Sequence, residues 1–434
     1  MAKAFIEKVP ALPAAQDTGY GNRYRDVDAR GRYLYWEEFK WRVEEGDDPI
    51  LAWASVKNAR IFGRKYLKFT DKKTDFFTYC VSDALQEKLY DIMEFSRVGL
   101  VPSDAIGNQF LLSSLSIEEA INSSQLEGAS TTRRVAQEML KAQRKPKDED
   151  EQMIYNNYLL MKALKNDKNE MLSIDMILRF HSIATDKTYH NKVVPGQFRT
   201  DNDIYIADRN DNVLFQPPNV DEVIPRMKQL CEFANDIHKG SDFMHPVIKA
   251  IILHYMIGYI HPFSDGNGRT ARALFYWFML KNGYDYFEYI SISKFLKEAP
   301  VKYTKSYQYV EADENDLNYF IFYQIEIIMR AIEDLRKYLD IKSKEYEEID
   351  RLLKKTSLEQ LLNFIQKDII KTSIKRPGKI FTANEVAIEY DISINTARSY
   401  LQKLVEYEIL SPYKKGRIKA YIAPENLADV VKGK

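Results

Sequence analysis

Residues 261–272 combine side chains that suit chemistry between a phosphate ester and a hydroxyl. They read His-Pro-Phe-Ser-Asp-Gly-Asn-Gly-Arg-Thr-Ala-Arg and lie between two apolar stretches that are predicted to be helices. A glycine-containing loop that leads into a helix N-terminus is an anion site, because backbone N–H groups are unpaired there. Glycine also lets the backbone approach such an anion closely. The run therefore predicts a phosphate-binding loop.

Two arginines support this prediction. Arg269 and Arg272 lie three residues apart, on one face of the first turn of the second helix. A cation near a helix N-terminus opposes the macrodipole by about 0.3–1 kcal/mol, so the pair requires a compensating anion. Guanidinium groups bind phosphate oxygens in a forked geometry, which favours a polyphosphate as the ligand.

A base and a carboxylate complete the run. Histidine ordinarily has a pKa near neutrality, so His261 suits proton abstraction from an attacking hydroxyl. Asp265 is acidic beside a loop that is predicted to collect anions, and a bridging Mg²⁺ explains that placement. The alternative is a structural histidine with a glycine cap and two surface arginines, which leaves the joint spacing unexplained.

The run matches every fixed position of the Fic-family signature, HPFx(D/E)GNGRxxR, and so resembles that family. The resemblance implies transfer of AMP from ATP to a Ser, Thr or Tyr hydroxyl of a target protein. It also implies that the chain modifies itself in the same way. It implies that His261 is the general base and that Asp265 binds Mg²⁺. The residues that it assigns to the nucleotide are Phe263, which packs the loop, Gly266, Asn267 and Gly268, which form the anion hole, and Arg269 and Arg272, which hold the phosphates.

Other activities stay open at this stage. The signature specifies phosphate chemistry more firmly than the transferred group, so transfer of UMP or phosphocholine, or removal of AMP, is an alternative. A further alternative is a regulator without catalysis that senses nucleotide and binds DNA. The intact His261 argues against this last reading, because sensing requires no base.

A second motif precedes the first. Glu127 falls at the C-terminal end of a helix predicted over 116–128, where a carboxylate opposes the macrodipole. A partner elsewhere is expected, unless Glu127 is a solvated surface residue. The run resembles the (S/T)xxxE(G/N) inhibitory motif of Fic proteins at Ser123, Glu127 and Gly128. The resemblance implies that Glu127 pairs with Arg272 and keeps ATP from binding productively, and in some relatives this glutamate assists removal of AMP.

A hairpin is predicted between two helices of the same region. Ile204, Tyr205 and Ile206 and a second apolar run at 213–215 bracket a polar turn. The hairpin resembles the Fic flap, whose edge pairs with an extended target segment. The alternative is a plain surface hairpin.

The tail has a different pattern. Residues 355–434 contain 14 Lys and Arg against 9 Asp and Glu. Helices predicted over 358–370, 382–390 and 393–407, followed by a two-stranded wing, resemble a winged-helix domain. Duplex DNA is one predicted partner, and a protein-docking or oligomerising module is the alternative. The predicted DNA contacts are Asn395, Thr396 and Arg398 at the start of the recognition helix and Lys414, Lys415 and Arg417 in the wing.

Composition limits the class of protein. Lys and Arg equal Asp and Glu at 63 each in 434 residues, so no global field points to nucleic acid or a membrane. Two distant cysteines, the absence of a secretory signal and the absence of a membrane-spanning run predict a cytoplasmic protein. A homo-oligomer is left open.

The predicted fold is mainly α. It consists of a Fic helical core with a β-hairpin flap, a small N-terminal module and a C-terminal winged helix-turn-helix domain. Trp36, Trp41 and Trp53 predict an aromatic core for the N-terminal module. The predicted domains are 1–100 as the N-terminal module, 101–310 as the catalytic domain, 311–355 as a helical linker, and 356–434 as the winged-helix-like domain.

Overall fold

The fold is described by a computed structural model that covers most of the chain. The described residues are 6–12, 19–20, 23–61, 63–98, 115, 117–141, 143–188, 194–207, 212–354, 356, 358, 360–390, 392–415 and 418–432. Their contacts define two compact units. The first contains Met1–Val98, Ala120–Ser130 and Asp148–Ala331, and the second contains Gly99–Glu119, Thr131–Lys147 and Ile332–Lys434.

The described helices and strands are labelled here in chain order. The elements up to residue 300 are α1 (Trp36–Phe39), α2 (Pro49–Ile61), β1 (Lys65–Thr70), β2 (Phe76–Tyr79), α3 (Asp83–Val98), α4 (Glu118–Leu126), α5 (Arg133–Lys141), α6 (Glu149–Asn166), α7 (Ile174–Thr185), β3 (Ile206–Ala207), β4 (Val213–Phe215), α8 (Val220–Asn235), α9 (Pro246–Ile260), α10 (Asn267–Lys281) and α11 (Ile292–Glu298). The later elements are α12 (Pro300–Ala312), α13 (Asn318–Leu353), α14 (Phe364–Lys375), β5 (Ile380–Thr382), α15 (Ala383–Glu389), α16 (Ile394–Glu406), β6 (Ser411–Lys415), β7 (Ile418–Ile422) and α17 (Leu427–Lys432). The mainly α prediction is confirmed.

A helical core forms the centre of the first unit. Helix α9 is apolar around its whole circumference, and almost all of its residues are buried. Pro246 starts it and the side chain of His245 caps it by accepting a hydrogen bond from the Val247 amide at 3.2 Å. Helix α10 packs along α9, and α6 and α7 pack on α10. This packing holds rigidly the two helix ends that flank residues 261–266.

The N-terminal residues lie in the same compact unit as this core, whereas the sequence predicts a separate module over 1–100. Aromatic and charged side chains account for the difference. Tyr35 stacks on Tyr309 with ring centroids 4.0 Å apart, and the buried Arg60 donates to the Tyr319 hydroxyl at 2.8 Å. Both contacts link segments that are more than 250 residues apart. No local sequence pattern reveals such a contact.

The predicted aromatic core of the N-terminal residues is partly wrong. Trp36 and Trp53 are buried, with ring centroids 5.9 Å apart. Trp41 is 78% exposed and carries the Lys40 ammonium 4.9 Å from its ring centroid. It follows α1 in a short 3₁₀ turn, so its side chain leaves the buried face that Trp36 occupies.

Among the described residues, the second unit ends in four helices, α14 to α17, and a small sheet. Strands β5, β7 and β6 pair antiparallel in that order, so β5 adds a strand to the predicted two-stranded wing. Helix α14 begins at Phe364 instead of residue 358, because Asn363 and Gln366 form a capping box there. Helices α15 and α16 agree with the predicted spans, and Ser393 caps α16 by accepting from the Thr396 amide.

No helix among the described residues is both long enough and apolar enough to cross a bilayer. The longest, α13, carries charged residues along its length. The apolar α9 has 15 residues and is shorter than the roughly 20 that a bilayer requires.

Candidate functional site

His261 terminates α9 and starts the candidate site. Its backbone is left-handed, with φ 49° and ψ 58°, and its amide donates to the Ile257 carbonyl at 2.9 Å. A non-glycine residue at positive φ is uncommon and is retained where surrounding packing fixes it. The turn directs the chain away from α9 and into the glycine loop.

The ring of His261 is held as a neutral base. Its Nδ1 lies 3.3 Å from the Gly258 carbonyl oxygen, and because that oxygen only accepts, Nδ1 carries the proton. Nε2 is then the atom with the free lone pair. Burial lowers the pKa of His261 to about 4 against the opposing effect of the Gly258 contact, and the charge of Arg199 acts in the same direction as burial. At neutral pH the ring accepts a proton.

Phe263 and Asn267 lock the loop from inside. The Phe263 amide donates to Oδ1 of Asn267 at 2.9 Å, and Nδ2 of Asn267 donates back to the Phe263 carbonyl at 2.7 Å. The side chain of Asn267 is thus engaged within the loop and buried. The sequence assigns this residue to the anion hole, and the structure leaves only its backbone N–H for that purpose.

His181 of α7 packs against the loop and hydrogen-bonds to it. Its ring stacks face to face on Phe263, with centroids 3.7 Å apart and planes 2° apart. Nδ1 accepts from the Gly196 amide at 3.0 Å, so Nε2 carries the proton and donates to the Asp265 carbonyl at 2.9 Å. A side chain at Gly266, which has φ 82°, would place its Cβ 2.8 Å from Thr185. The loop therefore requires glycine here for both φ and space.

Arg199 joins the turn at His261 to the stem of the hairpin. Its amide donates to the Pro262 carbonyl at 2.9 Å, and Nε donates to the His261 carbonyl at 3.0 Å. The rest of its guanidinium donates to the carbonyls of Asp201 and Pro218. One buried side chain thus fixes the backbone of His261 relative to both ends of the hairpin.

Arg269 is buried at the start of α10. Its Nη1 donates to the Ala184 carbonyl at 2.8 Å, and Nη2 pairs with Oδ2 of Asp265 at 2.7 Å. Its Nε is buried and has no hydrogen-bond partner among the described residues. Asp265 itself is 37% exposed at its side chain, so the pair opens to solvent on the carboxylate side.

Arg272 is held by residues of α4 and its C-terminal end. Its Nε donates to Oγ of Ser123 at 3.0 Å, and Nη2 pairs with Oε1 of Glu127 at 2.7 Å. Glu127 follows the last residue of α4, and Gly128 turns the chain there with φ 105°. The structure thus contains the ion pair that the resemblance implies.

Glu127 also occupies the start of α10. A Cβ built on Gly268 would lie 2.3 Å from Oε1 of Glu127 and 3.0 Å from Nη1 of Arg272. The carboxylate therefore rests against the first turn of α10, where unpaired N–H groups and the macrodipole favour an anion. The compensating anions for Arg269 and Arg272 in this state are Asp265 and Glu127.

The donor set fits one kind of metal. Among the described residues, no cluster of three or more Asp, Glu, His or Cys side chains is present. Asp265 offers a single, partly exposed carboxylate beside the glycine loop. Mg²⁺ is commonly held by one or two carboxylates, with water and nucleotide phosphates as its other ligands, so these residues suit Mg²⁺ and not an ion that needs a full protein cage.

The predicted flap is a short antiparallel hairpin. Ile206 pairs with Phe215 and Ala207 with Val213, so Ile204 and Tyr205 precede the strand that the sequence predicts for them. Tyr205 is exposed. The predicted turn at 208–211 lies outside the described residues.

The predicted DNA-contacting residues all belong to the second unit. Asn395 and Arg398 are exposed on the first turns of α16, where Nη1 of Arg398 donates to Oδ1 of Asn395 at 3.2 Å. Thr396 is half-buried and Lys414 is exposed on β6. Lys415 ends β6, and Arg417 lies outside the described residues.

Sequence reasoning missed His181 and Arg199 as parts of the site, and it also missed Tyr303. The hydroxyl of Tyr303 lies 2.8 Å from Nε2 of His254, and burial raises the pKa of Tyr303 against the opposing effect of the neighbouring Arg272 guanidinium. His254 is a buried core histidine. The only sequence signal for Arg199 was its position just before the hairpin.

One family model matches the region of the chain that contains the site. Residues 171–279 match the model of the Fic/DOC family. Protein adenylyltransferase fic-1 of Caenorhabditis elegans is 30% identical over 122 residues, which are 28% of this chain and 22% of that protein. Protein adenylyltransferase Fic of Nematostella vectensis is 28% identical over 153 residues, which are 33% of this chain and 32% of that protein. The chain thus spans about a fifth to a third of the length of these relatives.

Among solved structures, a Fic family protein from Desulfovibrio desulfuricans G20 aligns with 78% of this chain and 94% of its own chain. The sequence identity is 15% and the TM-score is 0.49. A Fic-1 fragment from C. elegans aligns with 60% of this chain at 18% identity and a TM-score of 0.48.

Proposed function

We propose that the Fic domain at residues 171–279 makes this chain a protein adenylyltransferase, which transfers AMP from ATP to a Ser, Thr or Tyr hydroxyl of a target protein. The observation that carries the proposal is the placement of the neutral His261 base at one end of a glycine loop whose other end starts α10 with two buried arginines. The named relatives support the choice of AMP as the transferred group.

The reaction is an in-line displacement at the α-phosphorus of ATP. Nε2 of His261 accepts the proton of the target hydroxyl while its oxygen forms a bond to the α-phosphorus. The bond from the α-phosphorus to the bridging oxygen breaks, and pyrophosphate leaves with that electron pair. The fixed tautomer of His261 keeps its free lone pair on the atom that takes the proton.

The phosphates bind at the start of α10. Backbone N–H groups of Gly266, Asn267 and Gly268 offer hydrogen bonds to their oxygens, and Arg269 and Arg272 offset their charge. Asp265 would hold Mg²⁺, which offsets charge on the transferring group when bound. These donors are fixed by packing before ATP arrives, so little reorganisation accompanies the transition state.

Glu127 restrains this activity. Its carboxylate pairs with Arg272 and lies against Gly268, where a phosphate of productively bound ATP belongs. Two anions repel each other at this distance, so ATP binds productively only after Glu127 moves away. The flap supplies the docking edge for the target, whose backbone pairs with residues near Ile206.

A panel of nucleotides tests the proposal. The full chain is incubated with Mg²⁺ and ATP, UTP, GTP or CTP, each labelled at the α-phosphate, with and without Glu127→Gly, and label on protein is measured. We expect label from ATP in preference to the others, and more of it in the variant. Label from another nucleotide would reassign the transferred group. Release of label from an already modified protein, dependent on Glu127, would favour removal of AMP.

The second unit supports a DNA-binding role. Exposed Asn395 and Arg398 on the first turns of α16 and the exposed Lys414 on β6 are the observations in favour. Binding of the full chain to labelled duplex DNA is measured at rising salt. Affinity that falls steeply with salt and weakens in Arg398→Ala supports DNA as a partner, whereas salt-independent self-association supports the oligomerising alternative.

A further inference from the structure

The two flanks of the segment that carries Glu127 are tied together by a forked ion pair. Nε of Arg133 donates to Oε2 of Glu118 at 2.9 Å and Nη2 donates to Oε1 at 2.7 Å. Gln137 adds a hydrogen bond from Nε2 to the same Oε1 at 2.9 Å. We call Glu118, Arg133 and Gln137 the clasp. The Glu118 side chain is 13% exposed and the Arg133 side chain 64%.

The clasp closes the loop on which the inhibitory residues lie. Glu118 opens α4 and Arg133 opens α5, and both belong to the second unit. The chain between them, Ala120–Ser130, belongs to the first unit and contains Ser123 and Glu127. The inhibitory segment and the clasp residues thus belong to different units.

Within the first unit, the segment is attached by polar contacts as well as by its buried Ala120, Ile121 and Ala129 side chains. Asn157 donates to Oγ of Ser124 at 2.7 Å, and Lys297 donates to Asn122 at 2.9 Å and to Gln125 at 2.5 Å. The Ser130 amide donates to Asp150 at 3.0 Å. Water replaces hydrogen bonds of this kind when the segment moves away from its partners. The restraint at the segment's ends therefore matters for its position.

We propose that Glu118 and Arg133 are positioning residues that act through Glu127, by keeping the loop closed and its carboxylate on Arg272. This inference rests on the proposed function for its catalytic readout. When the segment opens, free ends let it sample many conformations, whereas tied ends allow few. The clasp therefore lowers the entropy of the open state and disfavours opening. A partly exposed ion pair contributes on the order of 1 kcal/mol or less, which corresponds to about two- to fivefold in the open population.

The catalytic experiment measures initial self-modification by α-labelled ATP in Glu118→Gln, Arg133→Gln and the double variant. Each single variant is expected to label about two- to fivefold faster than wild type. The double variant should match the faster single variant, because either change already breaks the pair. Arg134→Gln is the matched control on the same helix, since Arg134 pairs only with Glu138 among the described ion pairs and both side chains are largely exposed, at 88% and 63%.

The same variants are then combined with Glu127→Gly. If the clasp acts through Glu127, Arg133→Gln adds nothing in this background. A further rise there, or wild-type labelling by Arg133→Gln while Glu127→Gly is active, would overturn the proposal.

Amide hydrogen exchange gives a readout that needs no catalysis. Amides of residues 124–129 should exchange about two- to fivefold faster in Arg133→Gln than in wild type or Arg134→Gln, because exchange reports the open population. Unchanged exchange contradicts the clasp. Faster exchange in a chain whose Glu127→Gly variant transfers no AMP supports the clasp and rejects the proposed function, so the two failures are distinguishable.

Discussion

Oε1 of Glu127 lies 2.7 Å from Nη2 of Arg272, although 145 residues separate them in the chain. The pair is only partly exposed, with the Arg272 side chain 2% and the Glu127 side chain 27% accessible. Glu127 is thus the more exposed partner of a nearly buried arginine at the start of α10. An internal anion occupies a position that the helix N-terminus and two arginines make favourable for phosphate. Under the proposed function, inhibition is a competition between this carboxylate and a phosphate of ATP for one site.

Replacing Glu127 separates its charge from its shape. Glu127→Gly removes both the carboxylate and its bulk, and self-modification should rise about tenfold or more, because a charge-assisted hydrogen bond of about 1.5–3 kcal/mol no longer holds the closed state. Glu127→Gln keeps the shape with a neutral hydrogen bond and should give an intermediate rate. The measurement is label transfer at fixed ATP. Equal rates in wild type and both variants would contradict autoinhibition.

Replacing His261 separates binding from chemistry. In the Glu127→Gly background, His261→Ala should lower transfer by about 10²- to 10⁴-fold, the usual contribution of a general base. The affinity for ATP with Mg²⁺, measured by calorimetry, should change little because His261 lies at the other end of the loop from the arginines. Transfer at an undiminished rate would remove His261 from its role.

The pH dependence of transfer reports the environment of His261. Burial lowers its pKa to about 4, so the ring stays neutral and able to accept a proton well below the ordinary histidine value of about 6.5. In Glu127→Gly, initial rates should therefore be nearly constant from pH 8 to pH 6. A loss of half the activity near pH 6.5 would mean that the ring is more solvated in the working enzyme than in this structure.

Acid should destabilise the first unit through two fully buried histidines. Burial lowers the pKa of His181 to about 4 and that of His254 to about 3. Between the unfolded value of about 6.5 and these values, the unfolded chain binds protons that the folded chain does not, so stability is lost as pH falls through this window. Each group contributes up to about 1.4 kcal/mol per pH unit. Urea unfolding at pH 7, 6 and 5 measures the slope, which should be shallower in His254→Gln.

Tyr303 should affect the nucleotide site through Arg272. Removing its hydroxyl in Tyr303→Phe, in the Glu127→Gly background, takes away a polar neighbour of the guanidinium. The KM for ATP should rise about three- to tenfold with a smaller change in kcat, because a hydrogen bond of about 1 kcal/mol positions the group. Tyr323→Phe is the matched control, since its buried hydroxyl has no partner among the described residues. Equal KM values in the two variants would assign Tyr303 a packing role alone.

Much of the helical core was predictable because its signals are local. Helix ends are marked to within a few residues by the apolar run of α9, by the glycines after it and by the caps at Ser173 and Asn219. The start of α14 was misplaced by six residues, because apolar periodicity from residue 358 continues into α14 while Asn363 sets the actual cap. The contacts that join Met1–Val98 to the core in one compact unit carry no local signal, since the partners of Tyr35 and Arg60 lie more than 250 positions away.

The sequence by itself determined the candidate site, because histidine, glycine loop and arginines are contiguous in residues 261–272 and their spacing alone places them around one helix start. Only the tertiary structure decided how that run is held and restrained. His181 and Arg199 fix the loop, and Glu127 occupies it, from elements that meet it only after the helices pack. Short-range geometry follows from backbone stereochemistry, whereas contacts between distant segments depend on which surfaces the folded chain brings together.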